Sequence, residues 1–201
     1  MRKVLLILCF LSGLNSFAQD DLLLHIDGKT IEISSDQEYD LPINGKMVKV
    51  KVSTKDTLLF DTDLFSFLYS KDYKVSSMKL AEGIEQVTIM TAEGSGLLIQ
   101  KYSAMNPSML NELMLNEVTK ESINYGFEMK RENYSRKLIS GQQIEISKAI
   151  LTYKDETNIY EVASLGRKDE GILIMTMIMD ENYSEQGRKL IDLMWDSLTY
   201  K

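Results

Sequence analysis

Beyond residue 20 the chain alternates apolar and polar side chains in short stretches around two tight turns. The alternation runs over 22–26 and 29–33 around Asp27-Gly28, and over 39–43 and 46–52 around Asn44-Gly45. Asp-Gly and Asn-Gly suit type I′ turns, whose two central residues both need positive φ, so each stretch predicts a hairpin. In the second hairpin Val48, Val50 and Val52 alternate with Lys49 and Lys51, the pattern of a half-buried strand with one basic face. Pro42 has no N–H to give to a ladder and places its strand at an edge or a strand end.

The Leu- and Phe-rich stretch 58–69 reads as strand, turn and strand, with 64–69 as the second strand, and 75–80 as a short further one. Residues 85–91 and 97–103 form a hairpin around Ala92-Glu93-Gly94-Ser95-Gly96. A helix is predicted over 107–125, with Asn106 as N-cap, Pro107 at the first helical position and Gly126 just past the end. Its apolar stripe is Leu110, Met114, Val118 and Tyr125, with Leu113 beside it. Strands follow over 127–134, 136–140, 144–153, 159–165 and 172–179. Short polar turns at Lys154-Asp155-Glu156 and at 167–171 make the neighbours they join antiparallel. Residues 172–179 are apolar except for Thr176, which predicts a strand buried on both faces and central in its sheet. A last helix over 184–199 carries Leu190, Ile191, Met194, Trp195 and Leu198 on one stripe, and Trp195 is expected to anchor it. Hairpins, helix, meander and helix together predict an α+β fold: an antiparallel β-sheet with a helix on each face, an α/β/α sandwich preceded by N-terminal hairpins.

From about Phe65 onward this order resembles the PsbP-like superfold. The resemblance is carried by the strand Phe65-Ser66-Phe67-Leu68-Tyr69, the hairpin around Gly94–Gly96 and the helix over 107–125. The meander through Met179 and the final helix ending Leu193-Met194-Trp195-Asp196-Ser197-Leu198 complete it. The resemblance implies a non-enzymatic protein that binds other proteins or assists assembly, and it supplies no site residue. The expected organisation is a signal peptide over 1–18, a hairpin extension over 19–57 and a PsbP-like domain over 58–201.

The signal peptide is read from three features. Arg2 and Lys3 precede an apolar run from Val4 to Leu14, and Ser16-Phe17-Ala18 offers small residues before a cut at Gln19. Eleven helical residues reach roughly 16 Å, about half a hydrocarbon core, so the run is too short to span a membrane. Cys9 is followed by Phe10-Leu11 within the apolar run and does not fit a lipidated cysteine. The cut removes two of the 23 Lys+Arg and none of the 30 Asp+Glu, which leaves the mature chain at −9. An acidic chain without a basic stripe disfavours nucleic acid and anionic membrane surfaces, and no stable membrane insertion is expected after cleavage. The one cysteine leaves with the signal, so no disulfide or thiolate chemistry remains. The one histidine, His25, excludes any site built on two, and it reads as a strand residue.

Candidate chemistry is sparse. Met175, Met177 and Met179 fall on one strand face and are soft ligands suited to Cu(I), or else they fill gaps in a core. Asp61 and Asp63 offer oxygens to a hard cation but lack a complete calcium loop. Gly94-Ser95-Gly96 lacks the lysine and helix of a phosphate loop. Glu93, Asp155, Glu156, Asp169 and Glu170 lie near turns, where a carboxylate pair can hydrolyse a glycoside, but no pair stands out. The sequons at Asn133 and Asn182 read as chance. The sequence therefore assigns no catalytic residue, no cofactor and no metal. It points to an exported, periplasmic or secreted, non-catalytic binding or assembly protein of the bacterial cell envelope, whose partner is an envelope protein. The alternatives are a carboxylate-dependent hydrolase of glycans and a carrier of a small apolar ligand between sheet and helix.

Overall fold

The computed structural model describes residues 21–26, 28–53 and 55–201. The expected signal peptide lies outside the described residues. The chain divides into two compact units, residues 1–54 and 55–201.

The first unit holds both expected hairpins. Strand β1 (Asp21–Ile26) pairs with β2 (Lys29–Ser34), and β3 (Glu38–Ile43) with β4 (Lys46–Lys51), all antiparallel. Asn44 and Gly45 have φ of 50° and 74°, the positive pair a type I′ turn requires. Ile33 and Leu41 are buried. Val48 corrects the expected apolar face of β4: it remains 39% exposed. A two-stranded ribbon has little apolar surface against which to bury such a face.

The second unit runs β5 (Thr57–Asp61), β6 (Phe65–Ser70), β7 (Ser76–Ala81), β8 (Ile84–Met90), β9 (Gly96–Tyr102), α1 (Asn111–Tyr125), β10 (Glu128–Lys137), β11 (Gln143–Tyr153), β12 (Glu156–Gly166), β13 (Gly171–Ile178), α2 (Glu185–Ser197) and β14 (Thr199–Tyr200). Seven of these strands form one antiparallel sheet in the order β10-β11-β12-β13-β9-β8-β7. Strands β14, β6 and β5 form a separate three-stranded sheet. The protein is thus α+β, built mostly of antiparallel strands with two α-helices.

The apolar strand is central, fourth of seven. Ile172 and Ile174 join a core cluster with Phe65, Phe67, Ile89, Leu97, Ile99, Ile144 and Ile146, and with Leu190, Met194 and Trp195 of α2. Leu173 and Met175, the intervening residues, join another cluster with Leu151, Val162, Tyr160 and Leu115 of α1. Each Leu or Ile buried in this way contributes roughly 1.5–3 kcal/mol.

Several elements differ from expectation for identifiable reasons. Asn106 does cap, accepting the Ser108 N–H at 3.0 Å, but residues Pro107–Leu110 form a 3-10 turn before α1 begins. The stripe of α1 is also displaced. Leu115 and Thr119 are its fully buried residues, whereas Leu113 and Tyr125 are 54% and 73% exposed. Thr119 can be buried because its hydroxyl donates to the Leu115 carbonyl at 2.8 Å. The two strands expected over 127–140 are one, β10, held by unbroken pairing from Glu128↔Thr152 to Lys137↔Gln143. Glu156, expected in a turn, opens β12, because Lys154 at φ 53° turns the chain within two residues. Helix α2 ends at Ser197, and Thr199–Tyr200 pairs with β6 instead of continuing it.

Helix α2 lies close against the β8–β9 turn. A Cβ on Gly187 would stand 2.3 Å from the Ser95 Cβ. Ser95 is fully buried; its hydroxyl donates to Ser184 Oγ at 3.0 Å and accepts the Met179 N–H at 2.9 Å. This contact fixes where α2 begins, and so fixes the position of the pocket described next.

Candidate functional site

Three strands break the apolar pattern of the face that meets α2. On β11 the in-phase residues are Ile144, Ile146 and then Lys148. On β12 they are Ala163 and then Glu161, and on β13 Ile172, Ile174 and then Thr176. Strand pairing aligns the polar members: Lys148 is opposite Glu161, and Glu161 is opposite Thr176. A polar row thus crosses the sheet where the core should continue. Above it lies a pocket of about 200 Å³, lined by Tyr134 and Arg136 of β10, this row, Ile159, Ile178, Glu181, and Arg188, Ile191, Asp192 and Trp195 of the α2 side.

Most of the charges are matched within the pocket or at its rim. Glu161, partly buried, accepts hydrogen bonds from the Tyr134 hydroxyl at 2.9 Å and the Thr176 hydroxyl at 3.3 Å. Arg188 pairs with Glu181 at 2.8 Å, and Arg136 with Asp196 at 2.6 Å. The Arg136 guanidinium also lies 5.6 Å from the centre of the Trp195 ring, within cation–π range. Burial pushes the Tyr134 phenol well above its ordinary pKa, and the Glu161 carboxylate beside it pushes the same way. Tyr134 is therefore a fixed hydrogen-bond donor at neutral pH.

Three groups of the lining are less closely held. The Lys148 ammonium makes no hydrogen bond among the described residues, and its ion-pair partner, Glu161, stands 3.9 Å away. Asp192 lines the pocket but is exposed to solvent, and forms no ion pair or hydrogen bond among the described residues. The indole N–H of Trp195, a residue only 2% exposed, has no hydrogen-bond partner among the described residues. A buried donor left unpaired costs about 1–3 kcal/mol, so its retention in a pocket wall calls for an explanation.

The residues singled out in the sequence are scattered. Met175 is buried in the cluster that includes Leu115, and Met177 and Met179 pack against that cluster. The Tyr160 hydroxyl lies 3.5 Å from the Met179 sulfur. Asp61 and Asp63 turn to different lysines, Lys201 and Lys101, each at 2.6 Å. Gly94–Gly96 makes the β8–β9 turn through Ser95. Glu170 pairs with Arg167 at 3.3 Å, and Glu156 accepts from Asn158 at 2.9 Å. His25 is exposed and bonds Thr30 across its hairpin at 2.8 Å. The carboxylates that leave their ordinary range, Asp63, Glu132 and Glu185, are all held below it by hydrogen bonds from Lys101, Lys130 and Lys189. A hydrolase acid needs the opposite shift. None of the pocket residues except Ile191, Trp195 and Thr176 was singled out by sequence. The available signal was a polar side chain in phase with an apolar strand face, at Lys148, Glu161 and Thr176.

Among solved structures the chain is similar to the solution structure of cyanobacterial PsbP (CyanoP) from Synechocystis sp. PCC 6803. The identity is 12% and the TM-score 0.47, over 75% of this chain and 95% of that one. The likeness is to the PsbP-like fold alone. No family model matches the sequence, and no curated protein matches it.

Proposed function

We propose that this is an exported, non-catalytic binding protein of the bacterial cell envelope, periplasmic or secreted, and that it recognises its ligand or partner through the pocket beside α2. The carrying observation is the row Lys148, Glu161 and Thr176, which places polar side chains under a pocket against α2 where the apolar core would otherwise continue. Enclosure and converging polar groups are the marks of a recognition site. The signal-like N-terminal sequence supports export, and the pocket's chemistry supports a non-catalytic role. The pocket holds no cysteine or histidine, and its partly buried carboxylate, Glu161, is occupied as a hydrogen-bond acceptor. The same reading takes the seven-stranded sheet as the middle layer of a sandwich with a helix on each face, supported by the alternate burial of β13 in two clusters, one with each helix. One helix then anchors the layer and the other, α2, forms the lip of the pocket.

Native mass spectrometry after incubation with envelope extract tests this. The exported chain should begin at Gln19 and carry a low-mass adduct that Asp192→Arg, an exposed change on α2, abolishes. Identical spectra for the two proteins would remove the pocket from the account.

A further inference from the structure

A groove of about 430 Å³ lies apart from the pocket beside α2 and shares no lining residue with it. Three tyrosines meet there from three elements. Tyr125 closes α1, Tyr153 closes β11, and Tyr183 lies in the connection from β13 to α2. Gly126, at φ 114°, ends the helix, and Tyr125 meets the Tyr153 ring edge-on at 5.5 Å. The buried Phe127 backs Tyr153 at 5.3 Å. Tyr125 and Tyr183 are 73% and 82% exposed. One exposed tyrosine is ordinary, but a group of rings around one groove is the composition of an interface.

The charge of the groove is one-sided. Asp155, Glu156 and Asp180 line it, and none of them forms an ion pair among the described residues. Glu156 and Asp180 accept only from neutral donors, the Asn158 amide and the Asn182 N–H. The one cation of the lining, Lys154, lies over the Tyr153 ring, 4.9 Å from its centre. The chain itself thus seats a cation on this aromatic group, within cation–π range. Three carboxylates against one ammonium still leave a net charge of −2, which fits a further cation. A small free cation needs a pocket that encloses most of its surface, whereas two of these rings stand largely in solvent. A guanidinium carried on a larger surface needs no such enclosure, and it both stacks on aromatic rings and forks to carboxylates.

We propose that this groove docks a basic segment of a partner protein, with an arginine side chain against the exposed rings of Tyr125 and Tyr183 and paired with Asp155 and Asp180. Lys154 is the built-in competitor, since its ammonium occupies Tyr153 and repels the incoming charge. This surface does not depend on the pocket beside α2.

The test titrates the exported chain into a fluorescent peptide, Gly-Arg-Gly-Arg-Gly, and into the same peptide with citrulline for arginine, read by anisotropy. The arginine peptide should bind at least about tenfold tighter, the difference of one charged hydrogen bond. Tyr125→Ser and Tyr183→Ser, exposed changes that keep the net charge, should each weaken binding about two- to fivefold. Asp155→Asn should weaken it as well, and Lys154→Met should tighten it. Unchanged affinity in both tyrosine variants would mean that only the acidity of the chain attracts the peptide, and would overturn the proposal. Weaker binding by Lys154→Met, or no preference for arginine over citrulline, would overturn it too. Displacement of the peptide by tetramethylammonium at an equal concentration would show that a small cation suffices, against a partner protein. None of these results bears on the pocket beside α2, which the Asp192-dependent adduct tests separately.

Discussion

Replacing Gly187 by alanine adds one methyl group where the structure has no room for it. The new Cβ would lie 2.3 Å from the Ser95 Cβ, 3.1 Å from its Oγ and 3.6 Å from its Cα. Carbon atoms in contact prefer about 3.5–4.0 Å, so a separation of more than about 1 Å must be found. Ser95 cannot supply it by rotating, because its Cβ is set by the backbone of the β8–β9 turn. Its hydroxyl is also held by Ser184 and the Met179 N–H. Helix α2 must therefore lift, loosening Leu190, Ile191, Met194 and Trp195. Overpacking of this kind costs about 1–3 kcal/mol, and distortion of the Ser95 bonds adds about 1 kcal/mol. The better helix propensity of alanine returns about 1 kcal/mol. The net expectation is a loss of about 1–3 kcal/mol, read from urea unfolding followed by the single tryptophan. Gln186→Ala, an exposed change one residue earlier, is the control and should be near neutral. If Gly187→Ala unfolds at the same or a higher urea concentration, α2 does not rest on the turn as described, and the pocket geometry loses its support.

Two further outcomes follow from the core and from the buried phenols. Ile174→Ala, fully buried on the central strand, should cost about 2–5 kcal/mol in the same urea assay, and a cost under about 1 kcal/mol would mean that β13 is not interior. Burial raises the pKa of Tyr73, Tyr102, Tyr134, Tyr160 and Tyr200 above the ordinary 10.0. Below that value each phenol is protonated in both states; above it the unfolded chain loses its protons first and binds fewer than the folded one, so stability should fall as pH rises past about 10. Tyr134→Phe should make that fall shallower across urea midpoints taken on either side of pH 10, and an unchanged slope would contradict the raised pKa of this phenol.

The sequence exposed the frame of the fold more readily than its site, for reasons of locality. Residues 172–179 announced a central strand because a run apolar at all but Thr176 needs cover on both faces. Asn44-Gly45 announced a hairpin because few other pairs accept two positive φ values. Thr199–Tyr200 carried no such signal: two residues cannot show a period, and their pairing with β6 depends on chain more than a hundred positions away. Thr119 was missed on α1 because a polar residue reads as exposed until its own hydrogen bond to Leu115 is seen. The pocket was harder still. Tyr134, Lys148, Glu161, Thr176, Asp192 and Trp195 come from separate strands and a helix, and only the strand register brings Lys148, Glu161 and Thr176 into one row. Met175, Met177 and Met179 drew attention by spacing alone, and their place is with a buried apolar cluster.

Occupation of the pocket is read most directly at Trp195, which lines it. With a single tryptophan, a nitrogen–proton correlation spectrum of the labelled exported chain contains one indole signal and needs no assignment. Addition of the low-mass fraction of envelope extract should shift that signal, as a ligand changes the surroundings of the ring. An indole signal that keeps its position and exchange rate while a ligand demonstrably binds the protein would place recognition elsewhere on the molecule.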